Sequence, residues 1–357
     1  MSTASALQGS LDQVWQPFAL IAGLLLIGRT AASDGLFEAV GARLAKILTN
    51  GVALFASLML MVAVVTAVLN LDTSVVFLTP VLIHAARQRG IKEDAFLYGA
   101  IFMANGASLL LPGSNLTNIL VLLTSPMSPS SFALRMLVPW IGSVLVITAI
   151  VALWRWRDLR GKTNSMTEIP PLRWGLGVAG IVLATVLVLS VTRPALPILI
   201  TGVVLVIAQV TIAKRLTRRQ ARSSLQVATL LTLFLVATGF GFMARIWSGP
   251  AHLMAAAGPW ASAGIGAGLS SAVNNLPAAV LLSSRPLHHP LALLVGLDLG
   301  PNLAIIGAMS SLLWLRIARG EGASPSIARF TRLGLIITPC SMVVALAALH
   351  FVLPRSF

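Results

Sequence analysis

Long apolar runs with short polar clusters at their centres organise this chain. From Val64 to Ile83 it reads VVTAVLNLDTSVVFLTPVLI, with Asn70, Asp72, Thr73 and Ser74 between two apolar arms and Pro80 eight residues past Asp72. A carboxylate near the centre of a bilayer helix costs roughly 2.5–3.5 kcal/mol on insertion scales, so a residue of this kind marks a functional site.

The same pattern predicts the other elements in order. Phe18 to Ile27 is the core of a first span, and Asp34 to Leu48 an amphipathic helix. Its Leu36, Val40, Leu44 and Leu48 recur every four residues, and it is expected to lie along the cytoplasmic interface. Basic residues flank both arms around Asn70, with Arg43 and Lys46 before and Arg87, Arg89 and Lys92 after. Entry and exit on one side make 52–86 a re-entrant hairpin and not a crossing. Ala95 to Thr124 is too long for an ordinary span and breaks at Pro112-Gly113-Ser114-Asn115, where proline removes a backbone donor and glycine loosens the helix. Free backbone groups at membrane depth are tolerated only where they line a cavity.

Leu137 to Leu153 is the next span, closed by an interfacial Trp154-Arg155-Trp156-Arg157. Trp174 to Leu189 and Leu196 to Ile212 form a helical pair turning at Thr192-Arg193-Pro194. Val227 to Phe242 is another span, and Trp247 to Trp260 is short and mixed. The opening pattern then returns as a hairpin over 261–284 with Asn274-Asn275-Leu276-Pro277 at its tip. A second broken helix covers 291–316, carrying Asp298, Gly300, Pro301 and Asn302, then Gly307 to Ser311. Leu333 to Val352 closes the chain. The order of elements in 1–154 thus recurs in 225–357, with 155–224 as linker and helical pair.

Composition makes this a polytopic membrane protein. Hydrophobic residues are 57%, charged residues 10% and mean hydropathy +0.91, against about 25% charged in soluble domains. At roughly 20 residues per span, 357 residues hold about ten passes. The net charge of +15 does not point to nucleic acid, because the basic residues sit in short loops between apolar runs, as the positive-inside rule requires. Loops Arg29–Lys46, Arg87–Lys92, Arg155–Arg173, Lys214–Arg222 and Arg316–Arg332 hold 20 of the 25 basic residues. Assigning them to the cytoplasm gives eight crossings and two hairpins, both termini outside, and hairpins opening to opposite faces. That is an inverted repeat, the arrangement that exposes one site alternately to each side. Met1 to Gln16 has no basic region of a cleavable signal.

No motif supports covalent catalysis, so the chain does not read as an enzyme, and nothing calls for a cofactor or a resident metal. The single Cys340 excludes a multi-cysteine metal site and reads as a packed small hydrophobe. Ser108, Ser114, Asn115, Thr117 and Asn118 share one broken helix and can complete a small-solute or cation site; their hydroxyls could instead bond back to helix carbonyls. Asn70, Asp72 and Thr73 at the first tip and Asn274 and Asn275 at the second need polar partners, which interhelical packing would also supply. Asp72 and Asp298 are the two carboxylates inside membrane elements; the other acidic residues, Asp34 among them, are expected in loops or interfacial segments. Asp72 is the best placed proton carrier, since a carboxylate out of water takes up a proton readily.

At LNLDTSVVFLTPVLI (69–83), ANGASLLLPGSNLTNIL (104–120), SSAVNNLPAAVLL (270–282) and GLDLGPNLAIIGAMSSLLWL (296–315) the chain resembles the arsenite/antimonite efflux permeases. These belong with sodium/proton antiporters and dicarboxylate transporters to the ion transporter superfamily. The resemblance covers essentially the whole chain. It implies an elevator-type transporter in which hairpins and broken helices move against a helical scaffold. Asp72, Asn274 and Asn275 match the family's tips, Ser114 and Asn115 its first break, and Gly307 to Ser311, with Ser310, its second. Asn302 would join the ion-binding set. Family members usually carry a further helical pair at the N-terminus, and an Asn-Asp pair where this chain has Leu71-Asp72. The resemblance implies export of trivalent arsenic or antimony against protons, with the bilayer, a homodimer and a helper ATPase as partners. A sodium/proton antiporter and an organic-anion symporter are the alternatives.

Overall fold

The computed structural model describes residues 3–161, 175–191, 194–220 and 227–352. Lys162, Arg173, Arg193, Arg222 and Arg355 of the charge assignment lie outside the described residues, as does the turn at 192–193. Among the described residues the chain is helical, without strands.

The first half comprises α1 (Thr3–Ser33), α2 (Leu36–Ile47), α3 (Gly51–Leu69), α4 (Leu71–Gln88), α5 (Asp94–Ala107), a 3₁₀ turn (Pro112–Ser114), α6 (Leu116–Thr124) and α7 (Pro129–Trp154). A short α8 (Trp156–Leu159) and the pair α9 (Leu176–Ser190) and α10 (Ala195–Thr211) follow. The second half comprises α11 (Val227–Ile246), α12 (Gly249–Ala256), α13 (Pro259–Val273), α14 (Asn275–Leu282), α15 (Pro290–Leu299), a 3₁₀ turn (Gly300–Leu303), α16 (Met309–Gly320) and α17 (Ile327–Val352). Prolines open α7, α12, α13 and α15, where the missing N–H would have been unpaired anyway. By length and composition, α1, α3, α7 and α17 could each cross a membrane alone. The broken helices do not count singly, because each is two short pieces.

Loop contacts fix which ends lie together. Arg89, after α4, donates to the Thr49 carbonyl before α3 at 3.2 Å, so the two arms run out and back. Asp94 pairs with Arg155 and, at 2.9 Å, with Arg329. Lys92 pairs with Asp158 at 3.2 Å, and Arg87 donates to the Glu321 carbonyl at 2.7 Å. Arg215 pairs with Asp34 at 2.6 Å. Described residues of all five basic loops therefore gather at one end of the molecule. At the other end the Leu287 N–H, past α14, donates to Ser125 Oγ at 3.1 Å. The 26 residues of α7 separate the two ends by about 39 Å.

Packing follows the same plan in both halves. α7 and α17 are each 26 residues, each with an internal proline (Pro139, Pro339), and lie against one another. α4 packs on α16, and α14 on α6. One apolar cluster surrounds the first hairpin and α5; a second surrounds the second hairpin and α15.

Three expectations need correction. Asp34 is buried, not in an open loop: it accepts from the Gly177 N–H at 2.8 Å, Gln209 Nε2 at 2.9 Å and Arg215 Nη1 at 2.6 Å. An unpaired first-turn N–H of α9 and a guanidinium together compensate the burial. In α2 the deeply buried face is Phe37, Gly41 and Ala45, one position on from the leucine stripe, which is half-buried. Gly41 lets α2 approach α4 so closely that a Cβ would strike Val81. Cys340 is exposed on the outer face of α17.

Candidate functional site

Both hairpins turn on a single asparagine. Asn70 has φ 115°, ψ 169°, and Asn274 has φ 89°, ψ 146°. Each ends one arm and caps the next: Asn70 Oδ1 accepts from the Thr73 N–H at 2.7 Å, and Asn274 Oδ1 from the Leu276 N–H at 3.2 Å. The second tip is tied to its neighbouring break. Asn274 Nδ2 donates to the Ile306 carbonyl at 3.1 Å, and the Asn275 N–H to the Gly307 carbonyl at 2.8 Å. The first tip is packed but less completely paired: Asn70 Nδ2, Thr66 Oγ1 and Thr73 Oγ1 are buried without a partner.

The breaks expose backbone groups that must be satisfied. At the end of α5, Trp140 Nε1 donates to the Ala107 carbonyl at 3.0 Å and Ser143 Oγ to the Gly106 carbonyl at 3.4 Å. Ser114 and Asn118 both donate to the carbonyls of Ser108 and Leu111. Ser108 Oγ turns back to the Asn105 carbonyl at 2.8 Å. These three residues hold the shape of the break and do not line the cavity described next.

Across the two breaks runs a polar exchange. Asp298 Oδ1 accepts from Asn115 Nδ2 at 2.9 Å and Thr117 Oγ1 at 2.5 Å. Asn105 Nδ2 donates to Asn302 Oδ1 at 2.8 Å, and Ser310 Oγ donates to Asn105 Oδ1 at 3.3 Å. All six residues are buried.

A cavity of about 20 Å³, close to the room one water needs, lies where tips and breaks meet. It is lined by Leu71, Asp72, Asn115, Leu116, Leu233, Asn274, Asn275, Leu276, Ala308, Met309 and Ser310. Four helices, α4, α6, α14 and α16, begin at this lining, so four N-terminal dipoles converge there. Asp72 is half-buried and is the only charged side chain in the lining, which holds no Lys, Arg or His.

Of the residues expected from sequence, Asp72, Asn115, Asn274, Asn275 and Ser310 thus share one cavity. Asn70 and Thr73 stand behind the first tip; Thr117, Asp298 and Asn302 stand behind the breaks. Gly307 serves through its carbonyl. Sequence reasoning missed Asn105 and Leu233. Asn105 had a usable signal: it precedes the N-cap of α6 by ten residues, as Asp298 precedes the N-cap of α16. Leu233, one leucine in an apolar helix, had none.

Residues 2–310 match the family model described as CitMHS, citrate transporter. Among curated proteins, an uncharacterized transporter of Mycobacterium tuberculosis is 27% identical over 94% of this chain and 85% of its own. The arsenical pump membrane protein of Escherichia coli is 25% identical over 94% of this chain and 86% of its own. Among solved structures, the YdaH transporter of Alcanivorax borkumensis superposes with a TM-score of 0.62, covering 97% of this chain and 86% of that one at 15% identity.

Proposed function

The chain is a membrane transporter belonging to the CitMHS citrate-transporter family, and from that premise we propose that it exports trivalent arsenic or antimony in exchange for protons. The observation that carries this reading is the cavity lining: helix N-termini, amides, one hydroxyl and one carboxylate, with no basic side chain. Arsenite at neutral pH is an uncharged trihydroxide. Once tips and breaks part enough to enlarge this one-water cavity, arsenite's oxygens can accept from N–H groups, its hydroxyls can donate to amide oxygens or to Asp72, and it brings no charge to be neutralised. With one cysteine in the chain, and that one exposed on α17, capture by three thiolates within a chain is not available. The arsenical pump relatives support the same substrate class.

In this reading α3–α4 and α13–α14 are re-entrant hairpins of an inverted repeat. The paired asparagine tips, the reciprocal packing of α4 on α16 and α14 on α6, and the hairpin ends at opposite ends of the molecule support it. Hairpins and broken helices form the moving unit, and α1, α7, α9 to α11 and α17 the scaffold. The end that gathers the basic loops faces the cytoplasm, which leaves both termini outside a plasma membrane. Asp72, facing the cavity, carries the proton. A homodimer and a helper ATPase stay expectations of the resemblance.

A second reading has its own observation. Four converging helix N-termini favour an anion, and the family description names citrate. Against it stands Asp72, which repels a carboxylate substrate.

The test is growth of a pump-deficient host on arsenite, antimonite or sodium, with uptake of citrate measured in parallel. Protection against arsenite that Asp72→Asn abolishes is the expected result. Citrate uptake without arsenite protection would transfer the assignment to the organic anion, and sodium tolerance alone would transfer it to cation exchange.

A further inference from the structure

Asn105 and Asp298 occupy the last turns of α5 and α15, each ten residues before the N-cap of the half-helix that follows. Neither lines the cavity. Their partners do. Asp298, in the second half, holds Asn115 of the first break; Asn105, in the first half, holds Ser310 of the second. Thr117 and Asn302 complete the two sets.

We propose that Asn105 and Asp298 are a matched pair of positioning residues, each orienting a cavity-lining side chain that belongs to the other half of the chain. The inference rests on the reading of this cavity as the transport site. The amide of Asn115 has two tasks: its Oδ1 caps the Thr117 N–H at 3.3 Å, and its Nδ2 is held chiefly by Asp298 at 2.9 Å, with a longer bond to Ser108 Oγ at 3.3 Å. With both ends engaged, one rotamer faces the cavity. Ser310 is oriented by one bond, its Oγ donating to Asn105 Oδ1 at 3.3 Å, without which its hydroxyl is free to rotate. Neither half of the site takes shape unless the opposite half-helix is docked against it.

The chemistry of the two holders differs in a way that can be used. Asp298 serves Asn115 and Thr117 as an acceptor through one oxygen, Oδ1. An asparagine offers the same oxygen. Asn105 acts as donor to Asn302 and acceptor for Ser310. An aspartate there still accepts from Ser310, and Asn302 can turn its Nδ2, which has no partner, toward it.

Hydrogen exchange of the purified full chain, read by mass spectrometry without any substrate, tests the pairing. Asn105→Ala should speed exchange at the start of α16, and Asp298→Ala at the start of α6. Each is in the opposite half, and each change should be about two- to tenfold, the factor expected for one lost bond of this kind. Asp298→Asn should keep the start of α6 protected, and Asn105→Asp the start of α16. Loosening confined to the helix that carries each alanine would overturn the proposal, as would Asp298→Asn behaving like Asp298→Ala. The conservative variants decide the matter if an alanine variant does not fold. Because no substrate enters, a failure of the arsenite assignment would appear only in the growth assay and leaves this result readable.

Discussion

Asn70 and Asn274 are the same joint used twice: each is the one residue between two hairpin arms, each at positive φ, each capping the following helix with its own Oδ1. Asn70 lies in a region of backbone space that side chains avoid, at a cost of about 1–3 kcal/mol. Glycine at either tip relieves that strain and loses a cap worth about 1 kcal/mol. Alanine loses the cap and keeps the strain. Chemical denaturation in detergent should therefore rank each glycine variant above its alanine variant by about 1–3 kcal/mol. Both glycine variants should transport poorly, because an unrestrained tip no longer presents Asp72 or Asn275 to the cavity.

Asp34 clamps the helical pair to the first half. Asp34→Ala strands Arg215, Gln209 and the Gly177 N–H. The expected loss is about 2–3 kcal/mol, since hydrogen bonds to a charged group are worth about 1.5–3 kcal/mol and Arg215 is partly solvated. Transport per folded molecule should be unchanged, because Asp34 is remote in contact from the cavity. Denaturation midpoints paired with vesicle transport check both statements.

At the basic end, Asp94 joins Arg155 to Arg329, linking the start of α5 to the ends of α7 and the start of α17. Asp94→Asn should cost about 1 kcal/mol for a partly exposed charge network. The difference from wild type should shrink between low and high ionic strength, as screening weakens what the variant lacks. Thermal unfolding at two salt concentrations measures it.

Gly334 lets α17 lie directly on the second break, where a Cβ would run into the Asn302 carbonyl oxygen. Gly334→Ala must push α17 and the break apart, an overpacking cost of about 1–3 kcal/mol. Because Asn302 is bonded to Asn105, the displacement should also lower transport. Gly320→Ala, with open space around it, is the control expected to leave transport unchanged and stability equal or slightly higher.

Much of this molecule was legible in its residues. The apolar runs, the prolines and glycines of the breaks and the asparagines of the tips each act locally, through helix propensity and missing backbone donors, so element order could be read along the chain. Burial of the α2 stripe could not. Which face of a short amphipathic helix goes deepest depends on how near its neighbour comes, and Gly41 against Val81 decided that. Asp34 read as a loop residue because its partners, Gly177, Gln209 and Arg215, lie far along the chain.

The candidate site divides in the same way. Residue types alone pointed to Asp72, Asn115, Asn274 and Asn275, because polar groups amid hydrocarbon stand out wherever they occur. What only the folded chain decided is which of them face a common space and which stand behind it. Ser108, Ser114 and Asn118 turned inward to the carbonyls of their own break, while Asp298 and Asn105 reached across to the opposite one. Those choices rest on contacts between residues about 200 positions apart, and a pairing over that distance leaves no periodic trace in either partner's own sequence.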